Sequence, residues 1–121
     1  MINEGKNTEV LKEWGYERII VNNELYCGKL LYLDKGAISS LHYHKKKQET
    51  FYCLSGQVAL YIEDKGYTLF PFSYPITIYP SQKHQFQGLS DDIVILEISS
   101  HHSEDDVVRF SSSQPKPQVT E

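Results

Sequence analysis

The sequence has few cysteines, no long apolar segment and no excess of positive charge. Its 121 residues include two cysteines, Cys27 and Cys53, which lack the CxxC spacing of redox and zinc motifs. No run of about eighteen apolar residues is present and the N-terminus has no apolar signal core, so we expect a soluble cytoplasmic protein without membrane contact. Twelve basic and sixteen acidic residues give a formal net charge of -4, which argues against a nucleic-acid partner.

The cysteines are therefore expected to be free thiols inside the fold. Cys53 has the same strand parity as Glu49 and Phe51, which leaves two interpretations open for it. Its side chain either packs in the core or lines a cavity.

No long amphipathic helix is predicted, and the chain is instead a series of short β-rich runs. These runs begin at Tyr16 and alternate with turn residues at a spacing of about eight to twelve residues, which predicts an all-β sandwich or barrel. The predicted strands cover residues 16–21, 25–33, 37–44, 49–54, 57–62, 67–70, 76–79, 84–87 and 93–98. We place one domain at residues 14–110, between a polar arm (1–13) and a polar, flexible tail (111–121).

The most specific pattern is an array of glycine, histidine and glutamate. It reads G-x5-H-x-H-x4-E-x6-G, and its members are Gly36, His42, His44, Glu49 and Gly56, with His84 following about forty residues later. Histidines at i and i+2 of a strand project to one face, where a carboxylate and a third imidazole would complete a four-ligand site. We therefore predict a divalent transition metal, with zinc, iron, manganese, nickel and copper all suited to these donors.

This array resembles the first signature of the cupin family, and the resemblance runs from about Trp14 to Phe110. The second signature, usually P-x-G-x-x-H, is matched in part by residues 79–84, where Tyr79 stands for the proline and Ser81 for the glycine. We expect the turn before His84 to differ in detail. The resemblance implies a single jelly-roll antiparallel β-barrel with a metal inside one end. It places four residues on the family's ligand positions, namely His42, His44, Glu49 and His84.

The flanking segments are similar to the mannose-6-phosphate isomerase domain of bacterial type II enzymes. The matching segments are Trp14-Gly15, residues 26–29, residues 40–44 and the closing run at 104–110. His42 stands where that family usually has glutamine, and Phe51 where it has tryptophan. The similarity implies a metal-dependent isomerase or epimerase acting on a sugar or sugar phosphate, and hence a carbohydrate as the small-molecule partner.

Three residues are candidates for the chemistry that this resemblance implies. Lys29 and Arg109 would be the groups that face the sugar or its phosphate, and either Lys29 or Glu97 could move a proton between neighbouring carbons. Arg109 could hold a phosphate bidentately, or it could form an ion pair with Asp105 or Asp106. Resemblance to cupins also implies a homodimer formed through strands at the barrel edge.

Two other functions remain open for the same site. An iron- or copper-dependent dioxygenase would use the same donors, and a non-catalytic module would bind a small ligand without turnover. Outside the predicted ligands, we interpret the lysines of the run 45–47 as a solvated loop rather than a phosphate clamp. We expect the adjacent His101 and His102 to be exposed side chains.

Overall fold

The computed structural model describes residues 5–117, and these form eleven β-strands. The strands are β1 (Thr8–Lys12), β2 (Gly15–Asn22), β3 (Cys27–Leu33), β4 (His42–His44), β5 (Glu49–Ser55), β6 (Val58–Ile62), β7 (Lys65–Leu69), β8 (Ile76–Ile78), β9 (His84–Gly88), β10 (Ile93–Ser99) and β11 (Val107–Arg109). One 3₁₀ turn, Glu104–Asp106, precedes β11. Nothing helical in the described part of the chain is long and apolar enough to span a membrane.

The strands are arranged in two antiparallel sheets. One has six strands in the order β1-β2-β3-β10-β5-β8, and the other has five in the order β11-β4-β9-β6-β7. Neighbouring strands are often distant in sequence, as in β3-β10-β5, which is the crossover pattern of a jelly roll. The prediction of an all-β jelly-roll barrel is confirmed.

Alternation along the strands builds the interior of the barrel. In β3, the inward residues Cys27, Lys29, Leu31 and Leu33 are buried, and the residues between them are half-buried. Strands β5 and β10 alternate in the same way. The apolar core lies between the two sheets, and Cys53 packs within it as a free, fully buried thiol. Cys27 is also a free, buried thiol, but it lies outside this core cluster.

The two glycines that bracket the histidine array occupy turns that need their conformation. Gly36 has φ of 82° and Gly56 has φ of 73°, in the left-handed region where side chains are strained. A Cβ atom at Gly56 would lie 2.8 Å from the Cα of Ile93. These turns direct the chain into and out of the strands that carry the histidines and the glutamate.

Both terminal segments pair with the barrel. Strand β1, which lies in the predicted N-terminal arm, forms the edge of the six-stranded sheet beside β2. In the described part of the predicted C-terminal tail, Gln114 and Ile38 exchange backbone hydrogen bonds of 2.7 and 2.9 Å. The hydroxyls of Ser111 and Ser113 accept hydrogen bonds from backbone N–H groups of the same edge segment, residues 38–41. Residues 118–121 lie outside the described residues.

Candidate metal centre and pocket

The structure brings three predicted ligands together inside one end of the barrel. His42 and His44 point inward from β4, and β4 pairs with β9 so that His42 lies directly opposite His84. One ring nitrogen from each histidine lies within 4.8 Å of the others. The i, i+2 spacing therefore produces a convergent cluster because the neighbouring strand supplies the third imidazole.

Hydrogen bonds to the backbone orient two of these rings. Nδ1 of His42 donates to the carbonyl of Ser40 at 2.9 Å, and Nδ1 of His84 donates to the carbonyl of Gln82 at 2.9 Å. A carbonyl oxygen can only accept, so the neutral tautomer compatible with these contacts carries its proton on Nδ1 in each ring. The Nε2 lone pairs of both residues are consequently free to bind a metal.

The carboxylate of Glu49, at the start of β5, completes the arrangement. Its Oε1 lies 3.0 Å from Nε2 of His84, and its Oε2 lies 3.3 Å from Nε2 of His44. Among the described residues, neither Oε2 of Glu49 nor Nε2 of His84 has a hydrogen-bond partner of acceptable geometry, although both atoms are buried. Lone pairs that face each other at these distances repel unless a positive charge lies between them. The donor set therefore fits a cation.

The protonation states also suit a metal. Burial, together with the nearby His84, lowers the pKa of His42 to about 4, and burial lowers the pKa of His44 to about 3. Burial opposes ionisation of Glu49, but the positive charge of Lys47 favours it, and the pKa of this carboxyl lies below its ordinary value. Two neutral imidazoles and an ionised carboxylate are the forms that coordinate metal ions.

These shifts predict a pH dependence for the metal-free protein. His42 and His44 have lowered pKa values when folded and ordinary values of 6.5 when unfolded, so the unfolded chain binds more protons below that pH. The free energy of unfolding should therefore fall as the pH drops from about 6.5 towards about 4, by up to about 1.4 kcal/mol per pH unit for each histidine. Urea unfolding of chelator-treated protein between pH 7 and pH 5 measures this slope.

The variant His42→Gln should flatten that slope, because it removes one of the two titrating groups. His101→Ala is the matched control, since His101 is exposed and should leave the slope unchanged. A wild-type stability that stays constant between pH 7 and pH 5 would contradict the buried, neutral state of these imidazoles.

The turn before His84 uses an unusual residue. Ser81, which stands where the cupin signature has glycine, has φ of 70°. Its backbone N–H donates to the carbonyl of His44 at 2.7 Å. This contact ties the turn that carries His84 to the strand that carries the other two histidines.

The prediction that the lysine run 45–47 is a solvated loop is wrong for Lys47. Lys45 and Lys46 are exposed, but Lys47 is only 3% exposed and points into the barrel. Its ammonium lies 2.6 Å from Glu97, 3.4 Å from Glu49 and 3.0 Å from Nδ1 of His102. Burial would lower the pKa of Lys47, but the two carboxylates outweigh it and raise that pKa above its ordinary value.

His102 also differs from its prediction. His101 is exposed as expected, whereas His102 is half-buried and lines the pocket beside the histidine cluster. The side-chain amide of Asn22 holds it by donating to its carbonyl and accepting from its N–H, both at 3.0 Å. Its ring accepts a hydrogen bond from Lys47 and donates through Nε2 to Glu104 at 3.2 Å. Burial lowers the pKa of this imidazole.

The three predicted catalytic residues all line the pocket that contains the metal donors. Lys29 is buried and lies 3.3 Å from Glu17, a pocket carboxylate that sequence analysis missed. Glu97 lies opposite Lys29 in the β3–β10 register but contacts Lys47 instead. Burial and the charge of Glu49 raise the pKa of Glu97, against the opposing effect of Lys47.

Arg109 lies at the exposed wall of the same pocket. Its side chain is 50% exposed, and its guanidinium donates to Glu104 at 3.0 Å. The sequence left open an ion pair between Arg109 and Asp105 or Asp106. In the structure, the carboxylate that pairs with Arg109 is Glu104 instead. Burial would raise the pKa of Glu104, but the hydrogen bonds from Arg109 and His102 lower it to about 2.

Asp106, which was considered as a partner of Arg109, instead binds the backbone of the lysine loop. Its carboxylate accepts hydrogen bonds from the backbone N–H groups of Lys46 and Lys47 at 2.8 and 3.0 Å. Its Oδ2 also lies 3.9 Å from Nδ1 of His44. Asp106 therefore folds the lysine loop inward and faces the outer nitrogen of a predicted ligand.

The pocket has a volume of about 110 Å³ and two chemically different sides. Its apolar side includes Trp14, Leu31, Leu33 and Phe86. Its polar side holds the histidines and seven charged residues: Lys12, Glu17, Lys29, Glu49, Glu97, Glu104 and Arg109. This division follows the strand register, because the pair Lys29–Glu97 is followed along β3 and β10 by Leu31–Ile95 and Leu33–Ile93. The pocket can therefore hold a small polar molecule with one apolar contact surface.

Comparison with known proteins identifies the class to which this fold and site belong. The cupin domain family matches residues 29–99, which is more than half of the chain. The chain belongs to the cupin family.

One curated relative is more specific. The chain is 30% identical to the D-lyxose/D-mannose isomerase of Thermosediminibacter oceani, in an alignment that covers 72% of this chain and 62% of that protein. The chain thus spans about three fifths of the length of this relative.

Solved structures share the fold at lower identity. Oxalate decarboxylase from Bacillus subtilis aligns with a TM-score of 0.72 and 21% identity, over 86% of this chain and 30% of that one. The nucleoside dehydratase Pac13 aligns with a TM-score of 0.74 and 14% identity, over 88% and 86% of the two chains. KdgF from Halomonas sp. aligns with a TM-score of 0.69 and 18% identity, over 74% of this chain and 81% of that one. These similarities establish the common barrel.

Proposed function

We propose that this chain is a metal-dependent isomerase of an unphosphorylated sugar, in which His42, His44, Glu49 and His84 hold a divalent metal. The observation that carries the proposal is that the metal donors and three buried acid–base groups, Glu17, Lys29 and Glu97, share one small pocket. The similarity to a D-lyxose/D-mannose isomerase supports the same reaction class. A bound divalent ion would supply Lewis-acid polarisation of a carbonyl and its neighbouring hydroxyl.

The charges in the pocket favour a neutral sugar over a sugar phosphate. Three cations line the pocket, and each lies within 4.0 Å of a carboxylate: Lys12 and Lys29 beside Glu17, and Arg109 beside Glu104. A phosphate would have to displace Glu104 from Arg109 or enter beside carboxylates that repel it. A sugar hydroxyl can instead donate to these carboxylates and accept from these cations.

Glu97 is the residue that we assign as the general base. Its raised pKa brings a carboxyl closer to the range in which it can both take and return a proton near neutrality. The ammonium of Lys29 lies 3.3 Å from Glu17, and an ammonium paired in this way has three N–H donors and no lone pair with which to accept a proton. Lys29 therefore suits hydrogen bonding to a substrate oxygen.

The experiment is hydrogen–deuterium exchange at C2 of candidate sugars, followed by NMR in D₂O. Protein stripped of metal and then loaded with single divalent ions should exchange the C2 proton of D-mannose or D-lyxose. The same proton of mannose 6-phosphate should exchange at least about 10-fold more slowly. Glu97→Gln should lower the rate by about 10²–10⁴-fold without loss of metal, as expected for a general base.

The matched variant is Arg109→Gln. It should leave exchange on the free sugar nearly unchanged, because Arg109 is already paired with Glu104. Exchange only with the phosphate ester, and its loss in Arg109→Gln, would support a sugar-phosphate isomerase instead. Binding of sugar without exchange by any metal-loaded form would support a non-catalytic module, and oxygen consumption with Fe(II) would support a dioxygenase.

A further inference from the structure

His44 differs from the other two histidines of the cluster in the surroundings of its outer ring nitrogen. Nδ1 of His42 and Nδ1 of His84 each donate to the carbonyl of the residue two positions earlier in the chain, at 2.9 Å in both cases. Among the residues that the structure describes, Nδ1 of His44 has no hydrogen-bond partner, although the atom is buried. The local backbone therefore orients two of the three imidazoles but not the third.

The carboxylate of Asp106 faces this nitrogen. Its Oδ2 lies 3.9 Å from Nδ1 of His44, and Asp106 is itself buried. The backbone explains the placement, because β11 pairs with β4 so that Val107, the residue after Asp106, lies directly opposite His44. A separation of 3.9 Å is too long for a hydrogen bond, so the structure places an acceptor near the nitrogen without joining the two.

A metal bound to His44 would fix the position of the proton on this ring. Nε2 of His44 faces the other donors, since it lies 3.3 Å from the carboxylate of Glu49. A neutral imidazole that binds a cation through Nε2 carries its proton on Nδ1, and a buried N–H group needs an acceptor. Histidines that bind metals normally donate this second N–H to a carboxylate, a carbonyl or a water. Asp106 supplies a carboxylate at the required nitrogen.

The same carboxylate also holds the β4–β5 loop, residues 45–48. Oδ1 of Asp106 accepts from the backbone N–H of Lys46 at 2.8 Å, and Oδ2 accepts from that of Lys47 at 3.0 Å. The loop follows His44 and precedes Glu49, so a predicted metal ligand lies at each of its ends. A carboxylate has about four lone-pair sites on its two oxygens, and it can accept a third hydrogen bond without releasing the first two.

We propose that Asp106 is a positioning residue of the metal centre: it accepts the Nδ1 proton of His44 when a metal is bound, and it thereby links metal binding to the order of the β4–β5 loop. This inference rests on the metal site of the proposed function, but it depends on neither the reaction nor the substrate. Its effect extends to the proposed base, because Lys47 of this loop lies 2.6 Å from Glu97. Metal binding should therefore hold His44, the loop and the ammonium of Lys47 as one unit.

Asp106→Asn tests the carboxylate with little change in volume. An amide has one acceptor oxygen, and its NH₂ group would face at least one of the three N–H donors, so the arrangement cannot be satisfied in full. The zinc affinity of the folded variant, measured by competition with a chromophoric chelator, should fall by about 10–100-fold, as it does for other outer partners of metal-binding histidines. Wild-type zinc affinity in Asp106→Asn would overturn the proposal.

Ser100→Ala is the matched control. Ser100 is exposed, and its hydroxyl accepts a hydrogen bond from the backbone N–H of Gln48 at 3.1 Å, in the same loop. This variant removes a loop contact but leaves Asp106 in place, so its zinc affinity should equal that of the wild type. Equal losses in the two variants would show that loop order alone matters, which would overturn the direct role of Asp106. A wild-type protein that binds neither zinc, cobalt nor manganese would instead remove the metal site, and the proposed function with it.

A measurement on the wild-type protein covers the case in which Asp106→Asn folds poorly. Backbone amide exchange, followed by NMR with and without zinc, separates the amides of the β4–β5 loop. The N–H groups of Lys46 and Lys47 bond to Asp106, whereas that of Gln48 bonds to Ser100. Zinc should therefore slow exchange more at the first two amides than at the third. Equal slowing at all three, or none, would contradict a link through Asp106. Neither measurement needs a sugar, so a protein that binds zinc but fails to exchange the C2 proton would leave this inference standing.

Discussion

Replacing His44 with alanine is expected to lower the affinity for a divalent metal by more than about 100-fold. His44 is only 5% exposed and supplies one of three imidazole nitrogens that lie within 4.8 Å of one another. Loss of residues that merely orient a ligand already costs about 10–100-fold in affinity, so loss of a direct ligand should cost more. Competition with a chromophoric chelator, on protein stripped of metal, measures the change.

The same variant should lose its thermal response to metal. Metal added to wild-type protein should raise the melting temperature, because it binds the folded state alone, and His44→Ala should show no such rise. Tyr43→Phe is the control within the same strand, since the Tyr43 ring contacts Phe110 on the other side of β4. One equivalent of metal bound by His44→Ala with wild-type affinity would show that the ligand assignment is wrong.

Local periodicity predicted most of the barrel. Each of the nine predicted strands corresponds to an observed one with small shifts at the ends, except that residues 37–44 form a strand only at His42–His44. In residues 38–40, backbone groups bond instead to the C-terminal segment and to Phe86. Strands β1 and β11 were missed because each is short and lies in a polar part of the chain at the sheet edge.

The histidine cluster could be predicted only in part from local rules. The spacing of His42 and His44 places both on one face of any strand. Meeting His84 requires β9 to lie beside β4 in the correct register, which is a property of the tertiary fold and came from the family resemblance. The glutamate is likewise brought to the histidines by a strand of the opposite sheet.

The buried charges around the cluster were the main omission. Charged side chains are normally exposed, so Lys47 and Glu17 were given no inward role. The sequence did contain one indication that Lys47 points inward. Residues i and i+2 of a strand share a face, so Lys47 would lie on the same face as Glu49 if the strand began two residues before Glu49. What sequence could not provide was the partner of each charge, since Lys47 meets Glu97 from β10 and Glu17 meets Lys29 from β3.

Lys47 neutralises two carboxylates inside the barrel. Its side chain is 2% exposed, and its ammonium lies 2.6 Å from Glu97, 3.0 Å from Nδ1 of His102 and 3.4 Å from Oε2 of Glu49. Metal bound by Glu49 would take over part of this neutralisation, but Glu97 would still depend on Lys47. The ammonium therefore holds the proposed base in place next to the metal centre.

Lys47→Met should consequently be strongly destabilising. Methionine fills a similar volume but leaves the buried carboxylates without a counter-charge, and breaking a buried ion pair in this way costs about 3–5 kcal/mol of unfolding free energy. Urea unfolding at neutral pH measures the loss. Adding Glu97→Gln to this variant should recover about 1 kcal/mol or more, because it removes the carboxylate that lost its partner.

The lysine run itself provides the matched controls for this prediction. Lys45→Met and Lys46→Met change the same residue type one or two positions away, but both side chains are exposed and should alter stability by less than about 0.5 kcal/mol. The difference between these variants and Lys47→Met isolates burial and pairing from helix or strand propensity and from net charge. Equal, small effects at all three positions would mean that Lys47 is solvated like its neighbours, and the ammonium could then not be what holds Glu97 beside the metal donors.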